Sequence, residues 1–168
     1  MNIILCGFMG SGKSTIGRLL AEKLGRKFID LDDYIVEKRG MSINDIFKKY
    51  GEENFRKSET QAAKNISKLE NYVVSLGGGT VINPKNAEIL KTGGKKILLN
   101  ISPETVYERI KHDTSRPLLQ TDDKIGAITN LLNSRLPFYN AAADFTITVD
   151  GKEKHEVMEE IIKITDKF

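Results

Sequence analysis

Gly7-Phe-Met-Gly-Ser-Gly-Lys13-Ser14 matches the pattern G-x-x-x-x-G-K-[ST] in full. Glycines at those places let backbone N–H groups turn inward around phosphate oxygens, the lysine neutralises the β- and γ-phosphates, and the hydroxyl is suited to Mg²⁺. The match directly follows an apolar run, Asn2 to Cys6, and opens an amphipathic stretch, Lys13 to Leu24. A helix starting there adds positive potential at the anion. A glycine-rich turn with an incidental lysine would need neither the strand before nor the helix after. The spacing predicts a purine nucleoside triphosphate with magnesium as ligand.

Carboxylates stand at the end of the second apolar run, as Asp30-Leu31-Asp32-Asp33. Open parallel sheets bind ligands at the carboxyl ends of their strands. Asp30 and Asp32 could therefore face magnesium and an acceptor hydroxyl, or either of them, or Asp33, could simply cap a helix running from Tyr34 to Arg39. No Asn-Lys-x-Asp base-reading motif follows a strand, which argues against a signalling GTPase. The third run ends Val74-Ser75-Leu76-Gly77 without the strand-end aspartate of an ATP-driven motor.

Gly77, Gly78 and Gly79 close that third run, either as an edge where a ligand approaches bare backbone or as a sharp turn with positive φ. Arg56 has Glu52, Glu53 and Glu59 at helical i±3 or i±4 spacing, so solvated ion pairs would explain it as well as a ligand would. Arg135 precedes Leu136-Pro-Phe-Tyr139 and taken alone is equally compatible with a surface position.

The elements that must position these residues read as alternating strands and helices. Five apolar runs, Asn2 to Cys6, Lys27 to Ile29, Tyr72 to Ser75, Lys96 to Ile101 and Phe145 to Val149, are separated by helical stretches. That is the pattern of crossover units around a parallel sheet. Gly25 ends the first helix; Ser42 with Asp45 resembles a capping box; Asn83-Pro84 and Ser102-Pro103 read as caps followed by proline at the first helical position. The polar segment Asp113 to Asp123, between a helix ending near His112 and another from about Lys124 to Arg135, is either a solvated connection or a lid. A terminal helix is expected from Lys152 to Lys167. With 168 residues, 39% of them apolar, the chain suits one domain without internal repeat or linker.

The 26 basic and 23 acidic residues are interspersed and leave a net charge of +3, too small an excess for a nucleic-acid surface. Cys6 stands alone, which fits a reducing, cytoplasmic setting and a small buried side chain. Ile3 to Cys6 before Gly7 is too short for a signal peptide, and no run approaches the roughly 20 apolar residues of a membrane span.

Read together, the nucleotide motif, Phe28-Ile-Asp-Leu-Asp-Asp33, Ile46-Phe47, Gly51-Glu-Glu-Asn-Phe-Arg56, Ser75-Leu-Gly-Gly-Gly79, Arg116-Pro-Leu-Leu119 and Arg135-Leu-Pro-Phe-Tyr139 resemble the shikimate kinases, in order from about residue 3 to 150. The resemblance implies a three-layer α/β P-loop kinase fold, with helices on both faces of a five-stranded parallel sheet in order 2-3-1-4-5 and a lid near 113–123. It implies transfer of the ATP γ-phosphoryl to the 3-hydroxyl of shikimate by a monomer. The nucleotide set would be Gly10, Ser11, Gly12, Lys13, Ser14, Thr15, Arg109 against adenine and Arg116 from the lid; Mg²⁺ would be held by Ser14, with Asp30 and Ser75 behind water. Asp32 would orient or deprotonate the nucleophile, making Lys13, Asp32 and Arg116 the catalytic set. Arg56 and Arg135 would clamp the shikimate carboxylate, Glu59 would orient an arginine, Phe47 and Phe55 would wall the ring, and Gly77, Gly78 and Gly79 would admit it, Gly78 with a backbone N–H. The loop Asp150 to Lys152 would close the base pocket, although it also reads as an ordinary turn. Gluconate kinase, on the same fold, is disfavoured by the triple glycine and Arg-Pro-Leu-Leu. A non-catalytic P-loop binding module is disfavoured by Lys13, Asp32 and Arg116 together.

Overall fold

The computed structural model describes residues 1–113 and 120–166; Arg116 and the rest of the segment 114–119 lie outside the described residues. Strands form at the apolar runs: β1 (Asn2–Cys6), β2 (Lys27–Asp30), β3 (Tyr72–Ser75), β4 (Gly94–Asn100) and β5 (Phe145–Thr148). All pairings are parallel, as the alternating pattern predicts, and the sheet order is β2-β3-β1-β4-β5, as the family resemblance implies. Every residue of β1 is buried, because helices cover both faces of a central parallel strand.

Among the described residues seven helices join the strands: α1 (Lys13–Leu24), α2 (Leu31–Arg39), α3 (Ile43–Ile66), α4 (Pro84–Lys91), α5 (Pro103–Ile110), α6 (Lys124–Ala142) and α7 (Lys154–Thr165). None is long and apolar enough to cross a membrane. The predicted caps at Gly25, Ser42, Asn83 and Ser102 are present. Ser42 Oγ accepts from the Asp45 N–H and donates to its carboxylate.

Several boundaries differ from the sequence reading, among them the terminal helix, which spans Lys154–Thr165 rather than Lys152 to Lys167, and three others have a structural cause. First, α2 starts at Leu31 rather than Tyr34, and its cap is Asp30, whose Oδ1 accepts from the N–H groups of Asp32 and Asp33. The third carboxylate back therefore wins the capping role. Second, α6 runs through Pro137 to Ala142 instead of stopping at Arg135. Proline there forfeits one backbone hydrogen bond, but burial of Ile128, Leu132, Tyr139 and Ala142 on one side of the helix carries it onward. Third, β4 starts two residues early at Gly94, which pairs with Asn2. Its Lys96, 3% exposed, is held by Asp144, whose carboxylate lies 2.7 Å from the Lys96 backbone N and 3.3 Å from its Nζ.

Helix α3 is broken at Gly51, with φ 80° and ψ 170°. Its first part buries only Ile46, whereas the second buries Phe55, Glu59, Ala62, Ala63 and Ile66.

Candidate active site

The nucleotide loop links β1 to α1 across the carboxyl ends of the strands. Gly12, at φ 89°, is the cap of α1 and has no side chain to offer its amides, so those donors remain available to an anion. A cavity of about 690 Å³ opens there, bounded among others by Lys13, Ser14, Asp30, Asp32, Gly77 and Arg109. Gly10, Gly12 and Thr15 also line it. Ser11 does not; it is fully buried and its hydroxyl has no partner among the described residues.

Lys13 Nζ donates to the carbonyls of Gly7 and Phe8, each at 2.9 Å, which curls the ammonium over its own loop. One residue on, Ser14 Oγ donates to Asp30 Oδ2 at 2.6 Å and lies 3.2 Å from Ser75 Oγ. Asp30 thus uses one oxygen to cap α2 and the other to hold Ser14. Ser14, Asp30 and Ser75 form a small set of hard oxygens beside the phosphate loop, a donor set that fits Mg²⁺, an ion that binds through few protein ligands and keeps several waters. Among the described residues no group of three or more His, Cys, Asp or Glu forms a metal cage, so such an ion would depend on phosphate oxygens too.

Asp32 stands in the first turn of α2 and lines the same cavity. Burial, reinforced by the neighbouring charges of Asp30 and Glu59, pushes its carboxyl up to about 6, with Lys13 pulling the other way. A carboxylate so placed can exchange a proton near neutral pH.

The triple glycine explains itself by close approach, not by turn geometry, since none of its members has positive φ. A Cβ on Gly77 would stand 2.7 Å from Asp32 Oδ1, and one on Gly79 would stand 2.8 Å from Arg56 Nη1. The space that glycine leaves at these two positions is taken by the chain's own side chains. At Gly78 a Cβ would meet only ordinary contacts.

Arg56 is not a solvated ion pair on a helix surface. Its Nη1 donates to Glu59 at 2.6 Å, and the Glu59 side chain is 2% exposed. Glu52 accepts from Nε and Nη2 on the solvent side, while Glu53 pairs with Lys57 instead. Arg56 and Arg135 line one cavity of about 400 Å³ on the far side of the glycine loop, together with Glu52, Gly79, Ile82 and Asn83. Arg135 reaches the Gly78 carbonyl at 3.4 Å and lies over the Phe8 ring at 5.7 Å. Phe47 and Phe55 stack on one another, 4.9 Å between centroids.

Arg109, on α5, donates from Nη1 to the Gly10 carbonyl at 2.9 Å. Val149, Lys152 and Val157 line the same end of the large cavity, so the stretch that reads as an ordinary turn borders the site. Asp150 holds it there, taking the Ser102 N–H at 3.0 Å and the Ser102 hydroxyl at 2.7 Å.

Sequence reasoning missed Tyr139. Its hydroxyl donates to the Gly78 carbonyl at 2.5 Å, and burial pushes its pKa up to about 12, so it keeps that proton. The partner is a backbone carbonyl 61 residues away, which leaves no local signal. Cys6 is buried as expected; burial raises its thiol to about 12, which makes it inert. His112 and His155 are both exposed.

The family model described as shikimate kinase matches residues 9–166. A shikimate kinase of Caldicellulosiruptor bescii is 46% identical over 163 residues, 97% of this chain and 94% of that protein. The solved shikimate kinase of Acinetobacter baumannii, in complex with shikimate, superposes with a TM-score of 0.91 at 36% identity, covering 99% of this chain and 93% of that one. The Aquifex aeolicus shikimate kinase does so with a TM-score of 0.86 at 38% identity, over 99% and 96%. With a nucleotide loop, an adjacent carboxylate and paired arginines across a glycine edge, and with relatives matching over nearly its full length, this chain belongs to the shikimate kinase family.

Proposed function

We propose that the chain transfers the γ-phosphoryl of ATP to the 3-hydroxyl of shikimate, giving shikimate 3-phosphate and ADP, with each step assigned to residues of the two cavities. The observation that carries this reading is the arrangement around Gly77 to Gly79: Asp32 and the phosphate loop lie on one side, Arg56 and Arg135 on the other. A small hydroxy acid can span that edge, with its hydroxyl at Asp32 and its carboxylate between the arginines.

Phosphoryl transfer leaves little covalent chemistry to the protein, so positioning and charge stabilisation supply most of the rate. Lys13 leaves the Gly7 and Phe8 carbonyls and neutralises the β- and γ-phosphates. Backbone amides from Gly10 to Thr15 cradle the phosphates. Arg109 stacks on the base, with Lys152 bordering the pocket. Asp32 accepts the proton of the shikimate 3-hydroxyl as its oxygen attacks the γ-phosphorus and the bond to the β,γ-bridging oxygen breaks. Arg56 and Arg135 take the carboxylate, guanidinium forks being matched to it bidentately. Glu59 holds Arg56, and the Gly78 N–H contributes to the acceptor. Mg²⁺, which Ser14, Asp30 and Ser75 would help to hold, supplies charge neutralisation on the phosphates. Arg116, outside the described residues, would add positive charge at the γ-phosphoryl. We propose a monomer working in the cytoplasm, on the strength of the family likeness.

A coupled ADP-release assay with shikimate, gluconate and nucleoside monophosphates side by side tests the reading. Turnover with shikimate alone is expected; a preference for either other class overturns it. Arg56→Lys and Arg135→Lys should each raise KM for shikimate at a cost of about 1 to 3 kcal/mol, while KM for ATP barely moves.

A further inference from the structure

Glu59 has two oxygens, and only one of them meets Arg56. Its Oε1 accepts from the Thr80 hydroxyl at 2.9 Å in a fully buried contact. The chain of bonds continues: the Thr80 backbone carbonyl accepts from Asn86 Nδ2 at 3.0 Å, and Asn86 Oδ1 lies 2.7 Å from the Thr60 hydroxyl. Thr80 and Asn86 are both at most 1% exposed. The direction of every bond is dictated. A carbonyl can only accept, so the Asn86 amide nitrogen faces Thr80 and its oxygen must face Thr60, whose hydroxyl donates. Because the Glu59 carboxylate can only accept, the single Thr80 proton is committed to it. Starting at Arg56 and Glu59 on α3, the ring passes through the residue after the triple glycine, crosses to α4 and returns to α3 at Thr60.

We infer that Thr80 and Asn86 are positioning residues for substrate recognition, holding Glu59 so that Arg56 presents its guanidinium to the carboxylate in one orientation. The inference rests on the carboxylate clamp proposed above. Arg56 is itself 37% exposed on a long, flexible stem, and its Glu52 partner is more exposed still. Such surface contacts fix little. Only the Glu59 contact is dry, and a buried carboxylate with one donor removed reorients or draws in water. The same ring joins the clamp to the glycine loop, because the Thr80 N–H donates to the Gly77 carbonyl at 3.1 Å. The arginine and the Gly77 to Gly79 edge therefore keep a fixed relation.

The test is a cycle between enzyme and substrate. Wild type, Thr80→Val, Thr80→Ser and Asn86→Ala are each assayed with shikimate and with methyl shikimate, which lacks the charge; Thr80→Ala stands in if the valine variant does not fold. Loss of the hydroxyl should lower the kcat/KM ratio of shikimate over methyl shikimate by roughly 10- to 100-fold, within the range of one hydrogen bond to a charged group. KM for ATP should stay within about twofold of wild type, and Thr80→Ser should restore the ratio. Asn86→Ala should lower the ratio in the same direction and by less. Equal losses on both substrates, or a ratio that Thr80→Val leaves intact, would show that Thr80 and Asn86 only pack, and overturn the inference. Failure of the clamp itself looks different: wild type would then treat the two substrates alike, which defeats both readings.

Discussion

Arg56 Nη1 lies 2.8 Å from the place a Cβ would occupy on Gly79. The glycine is thus part of the arginine's own binding site. Gly79→Ala must push away the Arg56 guanidinium and so displaces it from Glu59, leaving a buried carboxylate short of a donor. KM for shikimate should rise by about tenfold or more and the melting temperature should fall, with KM for ATP near wild type. Steady-state kinetics and a thermal melt on one preparation check this; an unchanged KM would detach Gly79 from the clamp.

Asp32 carries a linked prediction for stability and rate. Its folded-state pKa of about 6 lies above the unfolded value of 3.8, so the folded protein binds the extra proton between those values. Ionising Asp32 then opposes folding: the penalty is absent below about pH 4, grows as pH rises through 6 and is complete above it. Asp32→Asn should be more stable than wild type at pH 7.5, by on the order of 2 to 3 kcal/mol, with the gain vanishing near pH 4. Turnover should fall steeply while ATP affinity holds. Melting curves at the two pH values, together with kcat, decide the matter; unchanged turnover removes Asp32 from the acceptor site.

Lys13→Met should abolish phosphoryl transfer while leaving the fold in place. Its ammonium meets the carbonyls of Gly7 and Phe8, and the unbranched methionine side chain keeps the stem of the lysine in place. Retention of more than about a tenth of wild-type kcat, equivalent to ~1.4 kcal/mol of lost barrier stabilisation at most, would defeat the assignment.

Arg116 falls outside the described residues, and its prediction comes from the family resemblance, which makes it a charge-stabilising arginine at the γ-phosphoryl. Arg116→Ala should lower kcat by at least about a hundredfold and change ATP affinity by less than about tenfold, the pattern of an interaction made in the transition state. Calorimetry alongside rates separates this from a residue that merely holds nucleotide.

The parts of the site carried by contiguous residues were legible from the sequence. Lys13 and Ser14 could be placed because glycine spacing, a preceding strand and a following helix all agree locally. Sheet order followed from the family resemblance and matches the pairing found. Asp30 was read as a metal neighbour and only as one of several candidate caps, because three carboxylates in four residues offer three capping registers and packing of Leu31 and Ile35 chooses among them. Tyr139, Thr80 and Asn86 were silent for a different reason. Their partners are a backbone carbonyl 61 residues off, a carboxylate 21 residues off and a threonine 26 residues off, pairs that exist only once the helices have docked.

The break at Gly51 divides α3 into two parts of unequal anchorage, and that division has a consequence for hydrogen exchange. The first part buries one side chain, Ile46, and carries Phe47, whereas the second buries five and carries Arg56. Local opening follows buried apolar contact, so amides of residues 43–50 should exchange well before those of 52–66 and as a separate cooperative unit. The part of α3 that carries Phe47 can then open on the exchange timescale while the part that carries Arg56 stays protected with the core.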